Sequence, residues 1–160
     1  MTTTDRDNTS TIGREIIVNR TVEAPRELVW QAWTRPEHIA QWWGPNGFTN
    51  TVHEMDVRVG GVFRVTMHGW GQDFPNLMTY IEVVEPERLV YDHGDGSADD
   101  PYGFRQTVTF TERDGKTEVT MHLVFATAEA RDHAVEQFGA IEGGQQTLAR
   151  LSEYVAAMRE

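Results

Sequence analysis

From Phe48 to Phe125 the apolar residues of this chain recur at every second position, in short runs separated by turn signals. A period of two marks strands with one buried face, and many such runs joined by turns specify an antiparallel sheet. The spacing predicts strands over 15–23, 48–57, 61–69, 76–84, 88–93, 102–112 and 117–126. The breaks fall at Val59-Gly60-Gly61, Gly69 to Asp73, Glu85-Pro86-Glu87, Gly94 to Pro101 and Arg113-Asp114-Gly115. The last is flanked by TVTF and TEVTMHLVF and reads as a hairpin.

Around this block the period changes to that of a helix. After Pro25 come Leu28, Val29, Trp30, Ala32 and Trp33; after Pro36 come Ile39, Ala40, Trp42 and Trp43, before Gly44, Pro45 and Gly47 end the run. Thr127 reads as an N-cap. Phe138, Ile141, Leu148, Leu151, Val155 and Met158 then make one apolar stripe along a long C-terminal helix. Seven antiparallel strands have an apolar face that must be covered, and only this last helix is long enough to cover it. The expected class is α+β, with two short helices after the first strand and one long helix over the concave face.

A chain of 160 residues holds one domain as the default. Residues 1–14 are too polar to offset the cost of ordering and are expected to form a disordered tail, leaving residues 15–160 as the domain. Twenty-five acidic residues against fourteen basic ones give a net charge of −11, which argues against nucleic acid or an anionic membrane surface as partner. No apolar run approaches the roughly twenty residues that span a bilayer, and the polar start is unlike a signal peptide, so a cytoplasmic location is expected. The absence of cysteine excludes disulfides, thiolate metal sites and a cysteine nucleophile.

The order of elements resembles the helix-grip fold of the START-like, birch-pollen-allergen-like (SRPBCC) superfamily. Within it the chain is similar to the family named after the C-terminal domain of the activator of the heat-shock-90 chaperone ATPase. The resemblance rests on APRELVWQAWTRPEHIAQWWGP, DVRVGGVFRVTMHG, YIEVVEPERLVYDHG, FRQTVTFTERDGKTEVTMHLVF and EGGQQTLARLSEYVAAM, and spans about residues 15–158. It implies a sheet and a helix that enclose an elongated pocket, with Trp30, Trp42, Gly60, Gly61, Pro86 and Arg88 carrying architecture rather than chemistry. It implies no shared catalytic set. Where the family often has Gly-Trp before the paired leucines of the last helix, this chain has Gly143-Gly144. That departure either enlarges the pocket or permits close helix–sheet packing.

Alternation offers Phe63, Val65 and Met67 as wall residues of such a pocket, with Phe104 and Val108 on the next inward row and Met121 and Leu123 after it. The final helix offers Phe138, Ile141, Gly144 and Leu148, and the loops place Trp43, Phe48, Trp70 and Phe74 near the mouth. Gln106 and Gln145 interrupt apolar rows and Tyr80 adds a hydroxyl; a buried polar group needs a partner, which can be water, backbone or ligand. His53, His68, His93 and His122 fall on strands without a metal-binding motif, so no metal is expected. Asp92, Asp95, Asp99 and Asp100 crowd one loop that lacks the calcium-binding pattern and reads as a solvated lid.

The leading expectation is a protein that encloses a small apolar or aromatic molecule between sheet and last helix, without a cofactor. One alternative is an enzyme of the cyclase, aromatase or hydrolase kind, with Tyr80, His68, His93 or Glu82 as acid–base candidates. The other is a co-chaperone-like interaction module. Thr and Val on the outer strand face leave a homodimer open.

Overall fold

The computed structural model describes residues 13–94 and 103–159. The expected tail, apart from Gly13 and Arg14, lies outside the described residues, as do Asp95, Asp99 and Asp100 of the expected lid. β1 (Glu15–Val22) leads into α1 (Arg26–Thr34) and α2 (Pro36–Trp42). Six strands follow: β2 (Thr49–Met55), β3 (Val62–Gly69), β4 (Gln72–Val84), β5 (Arg88–Gly94), β6 (Phe104–Arg113) and β7 (Lys116–Phe125). α3 (Ala128–Phe138) and α4 (Ala140–Met158) close the chain.

The seven strands form one sheet in the order β1-β7-β6-β5-β4-β3-β2, each pair antiparallel. β1 therefore sits at one edge, beside β7, while β2 to β7 run as a meander. Register aligns the inward side chains into rows across the sheet. One row runs Ile16, Leu123, Gln106, Tyr91, Tyr80. The next runs Val18, Met121, Val108, Leu89. All of these are buried, so the period of two read from the sequence is the core face of the sheet.

Helices α1 and α2 plug one end of that face with tryptophan. Trp33 packs edge-on against Trp42, Trp43 and Phe110, with ring centroids 4.8, 6.0 and 5.7 Å apart. The Trp42 indole donates to the Ala32 carbonyl at 3.0 Å, which satisfies the one polar atom that its burial would strand. Thr117, also buried, donates to the Ala24 carbonyl at 2.7 Å and ties the start of β7 to the turn before α1.

Two elements differ from the sequence expectation. The C-terminal helical region is divided at Gly139, whose φ of +59 ends α3 in a left-handed cap, so the 19 residues of α4 make the long C-terminal helix. Thr127 caps α3 as expected, accepting from the Ala130 N–H at 3.0 Å. β4 also begins at Gln72 rather than at 76, because Trp70 and Gly71 alone make the turn from β3. No helix among the described residues is long and apolar enough to cross a membrane.

Candidate functional site

α4 crosses the concave face with Leu148, Leu151 and Val155 buried beneath it. Its first turns stand over β1 and the α2–β2 connection, and there the packing leaves a pocket of about 140 Å³. The floor is Ile16, Val18, Met121 and Leu123 of the sheet edge, with Gln106 further in. The roof is Ala140, Gly144 and Thr147 of α4; Trp43, Gly44, Pro45, Met67 and His93 close the sides.

Gly144 sets how near the helix comes. A Cβ there would lie 3.2 Å from Val18 Cγ2 and 3.5 Å from Met121 Cε. Both sequence readings of the Gly143-Gly144 pair therefore meet at Gly144. The missing side chain permits close approach to β1, and it also leaves a pocket wall without atoms. Gly143 faces Pro45 instead, with 3.8 Å from a built Cβ to the proline.

Gln106, Thr147, Trp43 and His93 bring polar atoms to the lining of this apolar chamber, and Tyr91 and Tyr80 lie behind it in the core. The Gln106 amide is 5% exposed and its Nε2 donates to the Tyr91 hydroxyl at 2.8 Å, across the β5–β6 pair. Burial pushes the Tyr91 hydroxyl well above the usual tyrosine range, while hydrogen bonds from Trp33 and Gln106 pull the other way. Tyr80 is likewise pushed up, chiefly by burial and then by Asp56. Both phenols stay protonated at any ordinary pH. Thr147 spends its hydroxyl on the Gly143 carbonyl of its own helix, at 2.8 Å. The Trp43 indole Nε1 is buried without an acceptor among the described residues, and Trp43 as a whole is only 7% exposed.

Of the residues selected from the sequence, Trp43, Met67, Gln106, Met121, Leu123 and Gly144 line this pocket. Phe63, Val65, Tyr80, Val108 and Leu148 are buried in the core around it. Phe104 packs on His93 and Phe125, at 4.5 and 4.9 Å. Others stand elsewhere, and two of them, Phe48 and Trp70, pack on each other at the β3–β4 tip with 5.0 Å between centroids. Gln145 is exposed, since it lies roughly 100° around the helix from Gly144 and off the buried stripe. Phe138 and Ile141 are 47% and 37% exposed, because the break at Gly139 turns both off the face that α4 buries. Phe138 joins Trp70 in a second, outer groove.

Among the acid–base candidates only His93 lines the pocket. Glu82 is held below the usual carboxylate range by its hydrogen bonds from Arg88, at 2.7 and 3.1 Å. His68 donates to Asp73 at 2.7 Å and shares a bond with the Thr51 hydroxyl, and His122 lies 2.9 Å from Glu15. Among the described residues no three His, Asp or Glu are grouped to hold a metal ion.

The residue that sequence reasoning missed is Arg150. Its guanidinium reaches from α4 to the end of α2 and donates to the carbonyls of Gly44, Pro45 and Phe48 at 2.8–2.9 Å. Longer bonds go to the carbonyls of Trp43 and Gln41, at 3.3 and 3.4 Å. A guanidinium is the one side chain with donors enough for such a set, and its charge suits the negative end of α2. Burial holds its pKa below the ordinary arginine value. This clamp shapes the segment that carries Trp43, Gly44 and Pro45 into the pocket wall. Asn50 adds to it from β2, donating to the carbonyls of Trp43 and Ala40 at 2.8 and 3.2 Å.

Comparison with known proteins places this arrangement. A protein from Mycobacterium smegmatis of known crystal structure is 25% identical, with 93% of this chain and 95% of that chain covered and a TM-score of 0.81. An AHSA1-like protein from Aeromonas hydrophila is 28% identical over 90% of this chain and 93% of its own, with a TM-score of 0.70. One from Arthrobacter aurescens, 20% identical, shares the fold at a TM-score of 0.84, covering 94% of this chain and 90% of that one. No curated protein matches the chain. The family described as Activator of Hsp90 ATPase homolog 1-like protein matches residues 23–156. With that match over most of its length, the chain belongs to the Activator of Hsp90 ATPase homolog 1-like family.

Proposed function

We propose that this protein binds a small, largely apolar molecule, about a single ring in size, between α4 and the β1–β7 edge of the sheet. The carrying observation is the 140 Å³ pocket with an apolar wall and an indole N–H that has no acceptor among the described residues. An apolar cavity of roughly 150 Å³ accommodates benzene, so the volume sets the ligand class. An acceptor on that ring, such as a carbonyl or ether oxygen, would meet the Trp43 N–H and recover the cost of its burial, on the order of 1–3 kcal/mol. The Gln106–Tyr91 pair supports the reading by holding one wall in a fixed geometry from within the core.

Native mass spectrometry of the purified protein and thermal-shift titration with single-ring ketones and ethers test this. A binder present at 100 times its Kd raises stability by about 2.7 kcal/mol, and the shift grows with concentration. Gly144→Trp fills the pocket and abolishes the shift. Because that variant also strains the Val18 contact, Met121→Phe serves as a second filling variant from the opposite wall. A panel of such ligands that leaves the melting temperature unchanged at every concentration sinks the proposal.

A further inference from the structure

The turn between β3 and β4 is built from Trp70 and Gly71, both with positive φ, +53° and +77°. Two left-handed residues in a two-residue hairpin turn make the type I′ pattern, which asparagine–glycine fills with little strain. A tryptophan at the first position holds a bulky side chain in a backbone conformation that L-residues avoid. Burial does not explain it, since Trp70 is 56% exposed.

What the position does achieve is an arrangement of rings. Trp70 lies nearly parallel to Phe138, 10° between planes and 6.5 Å between centroids. Phe74 stands edge-on to both, at 5.8 Å and 85° to Trp70 and 6.4 Å and 89° to Phe138. Aromatic pairs at these distances are in contact, so the three rings form one cluster rather than a cage. Of the three, Trp70 and Phe138 line the outer groove of about 530 Å³, between the hairpin tip and the α3–α4 junction.

The rest of the groove has one electrostatic character. Asn46, Gln137 and Gln146 offer amides, Glu142 offers a carboxylate, and among the described residues no lysine or arginine lines it. The negative end of α3 and the positive end of α4 meet at Gly139 and oppose each other, which leaves the balance to the side chains. The chain as a whole carries −11, so its field draws cations toward it. Ring faces and a carboxylate in a groove without basic residues are complementary to an organic cation. An anion or a hydrated metal ion would gain nothing from the rings.

We infer that this outer groove is a second binding site, separate from the inner pocket, for a quaternary or tertiary ammonium group. The Trp70 and Phe138 rings provide the cation–π surface and Glu142 the counter-charge. The inference does not depend on what the inner pocket holds.

The test uses choline as probe and its uncharged carbon isostere, dimethylbutanol, as control, followed by NMR titration of the intact protein. The expected result is a saturable shift of the Trp70 indole N–H and of the Gly71 amide with choline, and binding of the isostere weaker by roughly tenfold or more. Glu142→Gln weakens choline several-fold while leaving the isostere unchanged. Trp70→Asn places the residue that the turn prefers, so it keeps the hairpin folded while choline no longer shifts the Gly71 amide; Phe138→Ala, which keeps both reporters, loses the choline shift as well. Equal affinity for the two probes would reduce the groove to an ordinary apolar patch and overturn the inference. So would the absence of any saturable shift, or a dimer in sedimentation equilibrium whose formation protects Trp70 from solvent.

Discussion

Two hairpins of this protein turn in the same way and are filled in opposite ways. Between β6 and β7 the turn residues are Asp114 and Gly115, with φ of +56° and +76°. Between β3 and β4 they are Trp70 and Gly71, with φ of +53° and +77°. Aspartate tolerates the left-handed region because its short side chain bonds locally; tryptophan has no such compensation. The first hairpin is therefore self-sufficient, while the second needs its ring to be held from outside. That support is visible residue by residue. Phe48 packs edge-on to Trp70 with 5.0 Å between centroids, and lies against Gly69, where a Cβ would fall 2.7 Å from three of its ring atoms. The Phe48 carbonyl in turn accepts from Arg150 at 2.9 Å. A turn that reads as loop is in fact fixed through two steps to the C-terminal helix.

The largest test of this difference is Arg150→Met. The substitution keeps much of the stem's volume and removes every hydrogen bond that the guanidinium makes to the carbonyls of residues 41–48. Hydrogen bonds to charged groups contribute about 1.5–3 kcal/mol each, and carbonyls left part-buried cost more, so a loss of about 3–5 kcal/mol is expected in denaturant unfolding. Hydrogen exchange should speed up at the β3–β4 tip and remain unchanged at the β6–β7 tip. A loss below about 1 kcal/mol, or equal exchange at both tips, would mean that ring packing alone holds the hairpin.

That chain of support explains which parts of the structure were legible beforehand. The alternation of Val119, Met121, Leu123 and Phe125 and the Arg113-Asp114-Gly115 signal are local, and both read correctly as β7 and its hairpin. The tryptophans of α1 and α2 and the leucines of α4 were legible as core for the same reason. Gly139 was not read as a break because Phe138 and Ile141 keep helical spacing across it; periodicity cannot see a single left-handed residue. Arg150 was illegible for a different reason. Its partners are backbone carbonyls, which carry no sequence signature, and they lie about a hundred positions away. The pocket was half legible: strand alternation supplied Met121, Leu123 and Gln106, whereas Pro45, Ala140 and Thr147 enter through the angle at which α4 crosses β1. Sequence spacing does not encode that angle.

A second, smaller effect sharpens the comparison at the hairpin itself. Gly69→Ala drives a methyl into the Phe48 ring, which is 4% exposed and has little room to swing. Overpacking of this kind costs about 1–3 kcal/mol. Equilibrium unfolding measures the loss, and the near-ultraviolet circular dichroism of Trp70 should weaken with it. Little change in either would show that Phe48 adapts freely and that the tip is softer than its contacts imply.

The smallest expected effect comes from exchanging the turn residues, and here the sign matters more than the size. Trp70→Asn relieves backbone strain at the β3–β4 turn and removes the contacts of a half-exposed ring with Phe48 and Phe74. The two contributions oppose, and the net change in unfolding free energy is expected to stay within about 1 kcal/mol. Asp114→Trp places the same strain at the β6–β7 turn, where Asp114 and its neighbours Arg113 and Gly115 are all exposed. There the change is a pure cost of about 1 kcal/mol. Stability retained by the first variant and lost by the second would locate the compensation in the Phe48–Phe74–Phe138 surroundings. Equal losses would place it in tryptophan itself, and the aromatic tip would then have no structural reason to sit where it does.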